Sequence, residues 1–159
     1  MAQRQYLAAV EVCVWREGKI LVVTNRRWGK FTCPGGKIEE GEDPDDAAAR
    51  ELLEETGCKA TVLRRIAGNV HKAMAHDPAQ LRWFCLAYEA KIGDQEPRQV
   101  EEGTTPFWVT PEELCTQSLF PEFYTWLIQT LGYQEGFFSQ PRFWGPPGPS
   151  GPCGPAGPR

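Results

Sequence analysis

The chain has 159 residues, of which 41% are hydrophobic and 24% are charged, values that fit one soluble globular domain. Its net charge of −4 argues against general nucleic-acid binding, which draws on a basic surface. The apolar runs are too short to span a membrane, MAQRQYLAAVEV contains no secretory signal, and the six cysteines form no C-x-x-C pair, so we expect a cytoplasmic protein with reduced thiols.

The first part of the chain predicts a β-hairpin followed by a loop. The segments YLAAVEVCVW and KILVVTN are rich in β-branched residues, and REGK between them suits a hairpin turn. Proline and glycine interrupt the next stretch, RRWGKFTCPGG, which we therefore expect to be a loop.

The later segments mix strands and helices without strict alternation. KATVLRRIAGNV, LRWFCLAYEAKI and the short PFWVT are predicted strands, and the polar GDQEPRQVEEGTTP is a predicted loop. Thr110 and Pro111 are typical of a helix start at TPEELC, and PEFYTWLIQTLG is an amphipathic helix. This order indicates an α/β (α+β) domain with a mixed sheet flanked by helices.

The last residues differ in composition from the rest. GPPGPSGPCGPAGPR is a run of G-x-y triplets that begins at Gly145, with proline at every x position, as in collagen. So short a run predicts a disordered, polyproline-II-like tail, while trimerisation or a docking ligand stays an alternative. We therefore divide the chain into a folded domain, residues 1–140, and a tail, residues 141–159.

A third helix lies within the most acidic part of the chain. Asp43 is a good N-cap, Pro44 suits the first helical position, and Gly57 is a natural stop, so Pro44 to Thr56 should be helical. Helical periodicity predicts that one face packs on the core, and that face comprises Ala48, Ala49, Leu52, Leu53 and Thr56.

Three glutamates crowd another face of this helix. Glu51, Glu54 and Glu55 are spaced i, i+3 and i+4, so their carboxylates repel one another near the negative end of the helix dipole. Two explanations stay open at this point: a solvated acidic face, or a site for a divalent cation, since hard cations take oxygen ligands.

The surrounding residues resemble a known motif. The segment fits G-x5-E-x7-R-E-U-x-E-E-x-G-U, where U is apolar, at Gly36, Glu42, Arg50, Glu51, Leu52, Glu54, Glu55, Gly57 and Cys58. This is the Nudix box, so the chain resembles the Nudix hydrolases, MutT-like enzymes that cleave a phosphoanhydride in nucleoside diphosphates linked to another group. The resemblance implies an α/β/α sandwich around a mixed sheet and a need for Mg²⁺, with Mn²⁺ as a substitute.

The resemblance also implies roles for individual residues. Glu51, Glu54 and Glu55 would hold metal ions that reverse the local field and bridge phosphate oxygens, and a backbone carbonyl of Gly35 or Gly36 would add a ligand. Arg50 would orient the glutamates, while Glu42 more readily supports the loop. The general base would be a box glutamate or a downstream loop acid; EEGTTPFW offers Glu101 and Glu102, of which the spacing to Trp108 favours Glu102.

Substrate contacts are less well defined by the sequence. By resemblance, Arg26, Arg27 and Lys37 lie near the phosphates, and Glu122 lies near the nucleobase, although a helix N-terminal acid also explains it. Trp28, in a glycine-flanked loop, is the best stacking candidate. Further aromatic side chains that could stack on a base or belong to the core are Phe31, Trp83, Trp108, Tyr124 and Trp126.

The sequence therefore predicts a Mg²⁺-dependent pyrophosphohydrolase that acts on nucleotides, with a (deoxy)nucleoside triphosphate as the first substrate class. Nucleotide sugars, dinucleoside polyphosphates and capped RNA stay open as substrates. A nucleotide-sensing module without catalysis is an alternative, as is an isomerase of isoprenoid diphosphates, although that branch needs catalytic residues we cannot place in this chain. We expect a monomer or a homodimer.

Overall fold

A computed structural model of the chain describes residues 6–24, 29–72 and 82–131. These ranges contain seven strands and three helices. The strands are β1 Tyr6–Arg16, β2 Lys19–Thr24, β3 Phe31–Thr32, β4 Gly35–Lys37, β5 Val62–Lys72, β6 Arg82–Lys91 and β7 Pro106–Val109. The helices are α1 Pro44–Thr56, α2 Pro111–Gln117 and α3 Pro121–Leu131.

The strands form one mixed sheet with β1 at its centre. Its main path runs β3-β2-β1-β6-β5, with β4 paired to β1 and β7 paired to β2. Strand β1 is antiparallel to β2 and β4 but parallel to β6, which begins far along the chain. The predicted mixed sheet is therefore confirmed.

Strands β3 and β4 lie in the stretch that the sequence predicted as loop, so that part of the prediction is wrong. Strand β4 pairs with β1 in the register Ala9↔Lys37, Val10↔Gly36 and Glu11↔Gly35. Glycine and proline lower local strand propensity, but pairing with a long central strand overrides that preference. The consequence is that Gly35 and Gly36, which precede the acidic helix, belong to the sheet.

Helices cover both faces of this sheet. On one face, α1 packs against a core that includes Val10, Val12 and Tyr88. On the opposite face, α2 and α3 pack against a second core that includes Cys13 and Cys85. This arrangement confirms the α/β/α sandwich.

The ends of α1 agree with the sequence, but its buried face does not. The Asp43 side chain accepts a hydrogen bond from the Asp45 N–H at 2.8 Å, and Gly57 is left-handed with φ of 72°. The buried residues are Ala47, Ala48, Leu52 and Thr56, whereas Ala49 and Leu53 are exposed. The predicted core face is thus wrong at those two positions, because α1 is rotated so that two of its glutamates face β4.

The described cysteines are in two different states. Cys13, Cys33, Cys58 and Cys85 are buried and are not disulfide-bonded, but Cys115 is disulfide-bonded, so the expectation of reduced thiols is wrong at that residue. Among the helices of the described ranges, none has both the length and the apolarity that crossing a membrane requires.

Candidate functional site

The carboxylates of α1 meet the edge of the sheet at β4. Glu51 and Glu55 are half-buried against this strand, whereas Glu54 is exposed. Glu55 accepts a hydrogen bond from the Gly35 N–H at 2.8 Å. Gly36 lies directly against Glu51, since a Cβ built on Gly36 would fall 2.3 Å from Oε1 of Glu51. Two consecutive glycines therefore each contact one glutamate of the helix.

Arg50 donates hydrogen bonds to three glutamates, two on α1 and one in the loop before it. Its Nε and Nη2 donate to the two oxygens of Glu42 at 2.7 and 3.0 Å, and its Nη1 donates to Glu51 at 2.9 Å and to Glu54 at 3.2 Å. Nη2 also donates to the Lys37 carbonyl at 3.0 Å. These bonds raise the pKa of Arg50 and lower the pKa of Glu42. The guanidinium therefore fixes the helix to the loop that precedes it.

Glu42 supports that loop, as the sequence predicted. Besides its two bonds from Arg50, its carboxylate accepts a hydrogen bond from the Glu39 N–H at 2.9 Å. The Glu42 N–H in turn donates to the Glu39 carbonyl at 3.0 Å. The Glu42 carboxylate thus stabilises the turn between Glu39 and Glu42 and binds Arg50.

The remaining carboxylates carry excess negative charge. Burial raises the pKa of Glu55 to about 8, and the charges of Glu51, Glu101 and Glu54 add to this shift against the Gly35 hydrogen bond. Burial also raises the pKa of Glu51, with further contributions from Glu54 and Glu101, although Arg50 opposes the change. One arginine therefore leaves much of the local repulsion uncompensated.

This donor set fits a divalent cation. All candidate side chains are carboxylates, which are the ligands that Mg²⁺ prefers. Burial and, to a smaller extent, neighbouring acidic charges raise the pKa of Glu51 and of Glu55, and a bound cation would favour their ionised forms. Across the described ranges, no three His, Cys, Asp or Glu side chains already surround one metal position. One oxygen of each carboxylate accepts a hydrogen bond, Oε1 of Glu51 and Oε2 of Glu54 from Arg50 and Oε1 of Glu55 from Gly35, so a cation would bind through the acceptor capacity that these carboxylates retain.

The loop before β7 brings a further acid into this field. Glu101 raises the pKa of both Glu51 and Glu55, which places its charge within range of the helix carboxylates. Glu102, which the sequence favoured as general base, is exposed in the same turn. The loop that the spacing argument chose thus carries an acidic charge that affects the helix carboxylates, and the choice of a general base within it stays a prediction.

The other predicted substrate contacts are either exposed or outside the described residues. Lys37 is exposed, and its Nζ lies 5.8 Å from the centroid of the Trp83 ring on β6. Glu122 is exposed in the first turn of α3. Arg26, Arg27 and Trp28 lie outside the described residues.

Sequence reasoning missed one buried polar pair near the site. The Tyr124 hydroxyl donates a hydrogen bond to Glu11 at 2.8 Å, and Glu11 is a strand partner of Gly35. The available signal was a single acid inside the apolar run AAVEVCVW, because a charged residue in a central strand needs a buried partner.

Comparison with known proteins identifies the class to which this fold and site belong. The NUDIX domain family model matches residues 5–129, so the chain belongs to the Nudix family. The four glutamates that the motif requires, Glu42, Glu51, Glu54 and Glu55, all lie in the arrangement described above.

Individual relatives point in the same direction. The chain is 29% identical over 105 residues to a MutT-like protein of Streptomyces ambofaciens, and 30% identical over 100 residues to an oxidized purine nucleoside triphosphate hydrolase of Mus musculus. These alignments cover 65% and 63% of this chain, but only 62% and 60% of the relatives. The solved MutT NUDIX hydrolase of Burkholderia pseudomallei is similar with a TM-score of 0.59 and 25% identity, covering 68% of this chain and 85% of that one.

Proposed function

We propose that the chain is a Mg²⁺-dependent pyrophosphohydrolase that converts a nucleoside triphosphate to a nucleoside monophosphate and pyrophosphate. The observation that carries this proposal is the uncompensated charge where α1 meets β4. Glu55, with its pKa raised to about 8, lies among like charges from Glu51, Glu54 and Glu101. A structural role alone would favour a neutral residue there, whereas a cation and a phosphate chain together would use all of these charges.

The residues of the cluster have two proposed roles, metal binding and orientation of the metal ligands. Glu51, Glu54 and Glu55 hold the metal, together with a backbone carbonyl of Gly35 or Gly36. When bound, the metal supplies positive charge that stabilises the phosphate oxygens during cleavage. Arg50, which already contacts Glu51 and Glu54, keeps those two carboxylates on the same side of the helix.

We propose a loop acid as the general base that accepts the proton of the attacking water. Glu101 is the better candidate on electrostatic grounds, because its charge contributes to the raised pKa of Glu51 and of Glu55. The family spacing still favours Glu102. Separate Glu101→Gln and Glu102→Gln variants distinguish the two, since only the variant of the true base should lose turnover while retaining metal binding.

The substrate class is proposed from the relatives and from the residues that could contact the phosphates. The mouse relative is named as an oxidized purine nucleoside triphosphate hydrolase, which makes ordinary and oxidised purine triphosphates the first compounds to test. Lys37 is exposed beside the glycines of β4, where its ammonium can contact phosphate. Arg26 and Arg27 are further proposed phosphate contacts, Trp28 a proposed stacking residue, and Glu122 a proposed contact to the base.

A substrate panel tests the proposal directly. Purified protein is incubated with Mg²⁺ or Mn²⁺ and with triphosphates, oxidised triphosphates, nucleotide sugars, dinucleoside polyphosphates or capped RNA, and released phosphate and pyrophosphate are measured separately. We expect metal-dependent release of pyrophosphate from a triphosphate. Nucleotide binding without turnover of any compound would instead support the sensing module.

We further propose a cytoplasmic monomer or homodimer in which residues 141–159 form a separate tail. Because these residues lie outside the described ranges, the test is functional: deletion of residues 145–159 should leave kcat and KM nearly unchanged. A large loss of activity would show that the tail takes part in assembly or in substrate binding.

A further inference from the structure

A buried carboxyl group lies under the candidate site without a role in the proposed chemistry. Glu11, in the middle of β1, is only 7% exposed and lies on the face of the sheet that α3 covers. Burial raises its pKa well above the ordinary value, and the Glu55 and Glu51 charges raise it further, against the hydrogen bond from Tyr124. A hydrophobic residue would be less costly at this position, so the retained carboxyl calls for an explanation.

The hydrogen bonds of this group lead from α3 into the sheet. Tyr124 of α3 is fully buried, and its hydroxyl donates to Oε2 of Glu11 at 2.8 Å. The same hydroxyl accepts a hydrogen bond from the backbone N–H of Cys33 at 2.8 Å. A single phenol oxygen therefore joins the helix to both β1 and the segment between β3 and β4.

That segment continues directly to the glycine that contacts the site. The Pro34 carbonyl accepts a hydrogen bond from the Val12 N–H at 2.7 Å, and Gly35 pairs with Glu11 across the strands. The Gly35 N–H then donates to Glu55 at 2.8 Å. The backbone from Cys33 to Gly35 is thus held on one side by Tyr124 and β1, and holds Glu55 on the other.

We propose that Tyr124 and Glu11 are positioning residues that fix the Cys33–Gly35 backbone, and through it the orientation of the Glu55 carboxylate for metal binding. This inference rests on the proposed function, because it assumes that Glu55 is a metal ligand. It extends that function by giving Tyr124 of α3 a part in orienting Glu55 of α1.

The test compares variants that differ in one hydrogen bond. Tyr124→Phe removes the hydroxyl but keeps the ring. Glu11→Gln keeps an oxygen that can accept from Tyr124, whereas Glu11→Leu removes it. Tyr88→Phe is the matched control, because Tyr88 is equally buried but lies on the opposite face, where its hydroxyl donates to Asp45 at 2.6 Å.

Two readouts do not depend on turnover. The first is the Mn²⁺ dissociation constant, measured from free Mn²⁺ by electron paramagnetic resonance. The second is hydrogen exchange of the Gly35 amide, measured by NMR without metal. Melting temperatures and separate kcat and KM values for a nucleoside triphosphate complete the comparison, because they separate a loss of stability from a loss of positioning.

We expect Tyr124→Phe and Glu11→Leu each to weaken Mn²⁺ binding about tenfold, as changes behind metal ligands commonly do, and to speed exchange of the Gly35 amide. Glu11→Gln should retain most of the wild-type affinity. Tyr88→Phe should lower the melting temperature by a similar amount, since it also removes one hydrogen bond, but should leave Mn²⁺ binding unchanged.

The outcomes also separate this inference from the proposed function. If wild-type protein binds Mn²⁺ and hydrolyses nucleotides but Tyr124→Phe behaves like Tyr88→Phe, the positioning role is wrong and the function stands. If wild-type protein binds no Mn²⁺, the proposed function fails, and this inference fails with it even where Gly35 exchange responds to Tyr124→Phe.

Discussion

Gly36 is in contact with the carboxylate of Glu51, and a Cβ at position 36 would displace that carboxylate. A Cβ at Gly36 would lie 2.3 Å from Oε1 and 2.6 Å from Cδ of Glu51. The neighbouring Gly35 is restricted differently, because its Cβ would lie 2.2 Å from the backbone carbonyl oxygen of Val10. The absence of a side chain at Gly36 thus makes room for the Glu51 carboxylate, a proposed metal ligand, and its absence at Gly35 allows the pairing of β4 with β1.

Alanine substitutions at these glycines should therefore have different effects. In Gly36→Ala the Glu51 side chain can move away, so we expect a small change in melting temperature and a loss of metal affinity and kcat. In Gly35→Ala the backbone itself must shift, so we expect a clear loss of stability, on the order of 2 kcal/mol. Thermal unfolding and Mn²⁺ binding measured on both variants check this; equal loss of stability would contradict the assignment.

Neutral replacement of the helix glutamates should abolish turnover and leave the fold intact. Glu54→Gln and Glu55→Gln remove a proposed metal-binding charge without a large change in volume, and we expect kcat to fall by about a hundredfold or more. Gln keeps an oxygen that can accept the hydrogen bond from Arg50 at position 54 or from Gly35 at position 55, so the melting temperature of the metal-free protein should change little.

The matched control for this experiment is Glu40→Gln, an exposed acid in the same motif. It should retain wild-type kcat, because the motif leaves that position variable. Normal Mg²⁺-dependent turnover in Glu55→Gln would contradict the proposed role of this residue.

Stability should depend on pH through Glu89, which lies on β6 away from the acidic motif. Burial raises its pKa to about 7, while Arg64 and Lys91 oppose the shift; its charge also raises the pKa of Cys13. Because the folded-state pKa exceeds the ordinary value of 4.5, the folded protein binds this proton more tightly than the unfolded chain does. The stabilisation is fully present below pH 4.5 and is lost as the pH rises through about 7.

Glu89→Gln should remove that part of the pH dependence. Melting temperatures are measured at pH 5 and at pH 8. We expect the melting temperature of Glu89→Gln to fall by about 5 °C less between these pH values than that of the wild-type protein, which corresponds to a difference in unfolding free energy on the order of 2 kcal/mol. Glu11, Glu51 and Glu55 have raised pKa values that act in the same direction, so a residual slope should persist. Identical slopes in the two proteins would show that Glu89 does not change its protonation on unfolding.

The local features of α1 could be predicted because local chemistry determines them. Asp43 caps the helix and Gly57 ends it through backbone geometry that depends on a few neighbouring residues. The rotation of α1 could not be predicted from hydrophobicity, which placed Leu53 in the core although it is 40% exposed. The helix turns instead toward Gly35 and Gly36, and that contact exists only because β4 pairs with a distant strand.

The same distinction applies to the candidate site. The spacing of Glu51, Glu54 and Glu55 along one helix was sufficient to predict that they share a region of space. The Glu101 charge and the Tyr124 hydroxyl reach the site only through tertiary packing, and no sequence period links them to the motif. Contacts between elements far apart in the chain are thus the part that required the structure.

The aromatic ring of Trp83 is expected to bind the nucleobase. Trp83 is half-buried on β6, and the strand registers place it on the same face as Lys37, whose Nζ lies 5.8 Å from the ring centroid. Since Lys37 directly follows Gly36, a nucleotide with its phosphates near the glycines can reach this ring with its base.

Loss of the ring should therefore weaken nucleotide binding more than it affects the chemical step. We expect Trp83→Ala to raise KM for a nucleoside triphosphate about tenfold with a small change in kcat, and Trp83→Phe to recover part of the loss, because stacking is worth about 1–3 kcal/mol per base. Binding of tripolyphosphate, which has no base, should be unaffected. Trp108→Phe is the control, because the Trp108 ring contacts Arg16 and not Lys37. The guanidinium carbon of Arg16 lies 5.0 Å from the centroid of that ring. An equal loss for tripolyphosphate and nucleotide in Trp83→Ala would mean that the ring supports Lys37 and the phosphates, and that the base binds elsewhere.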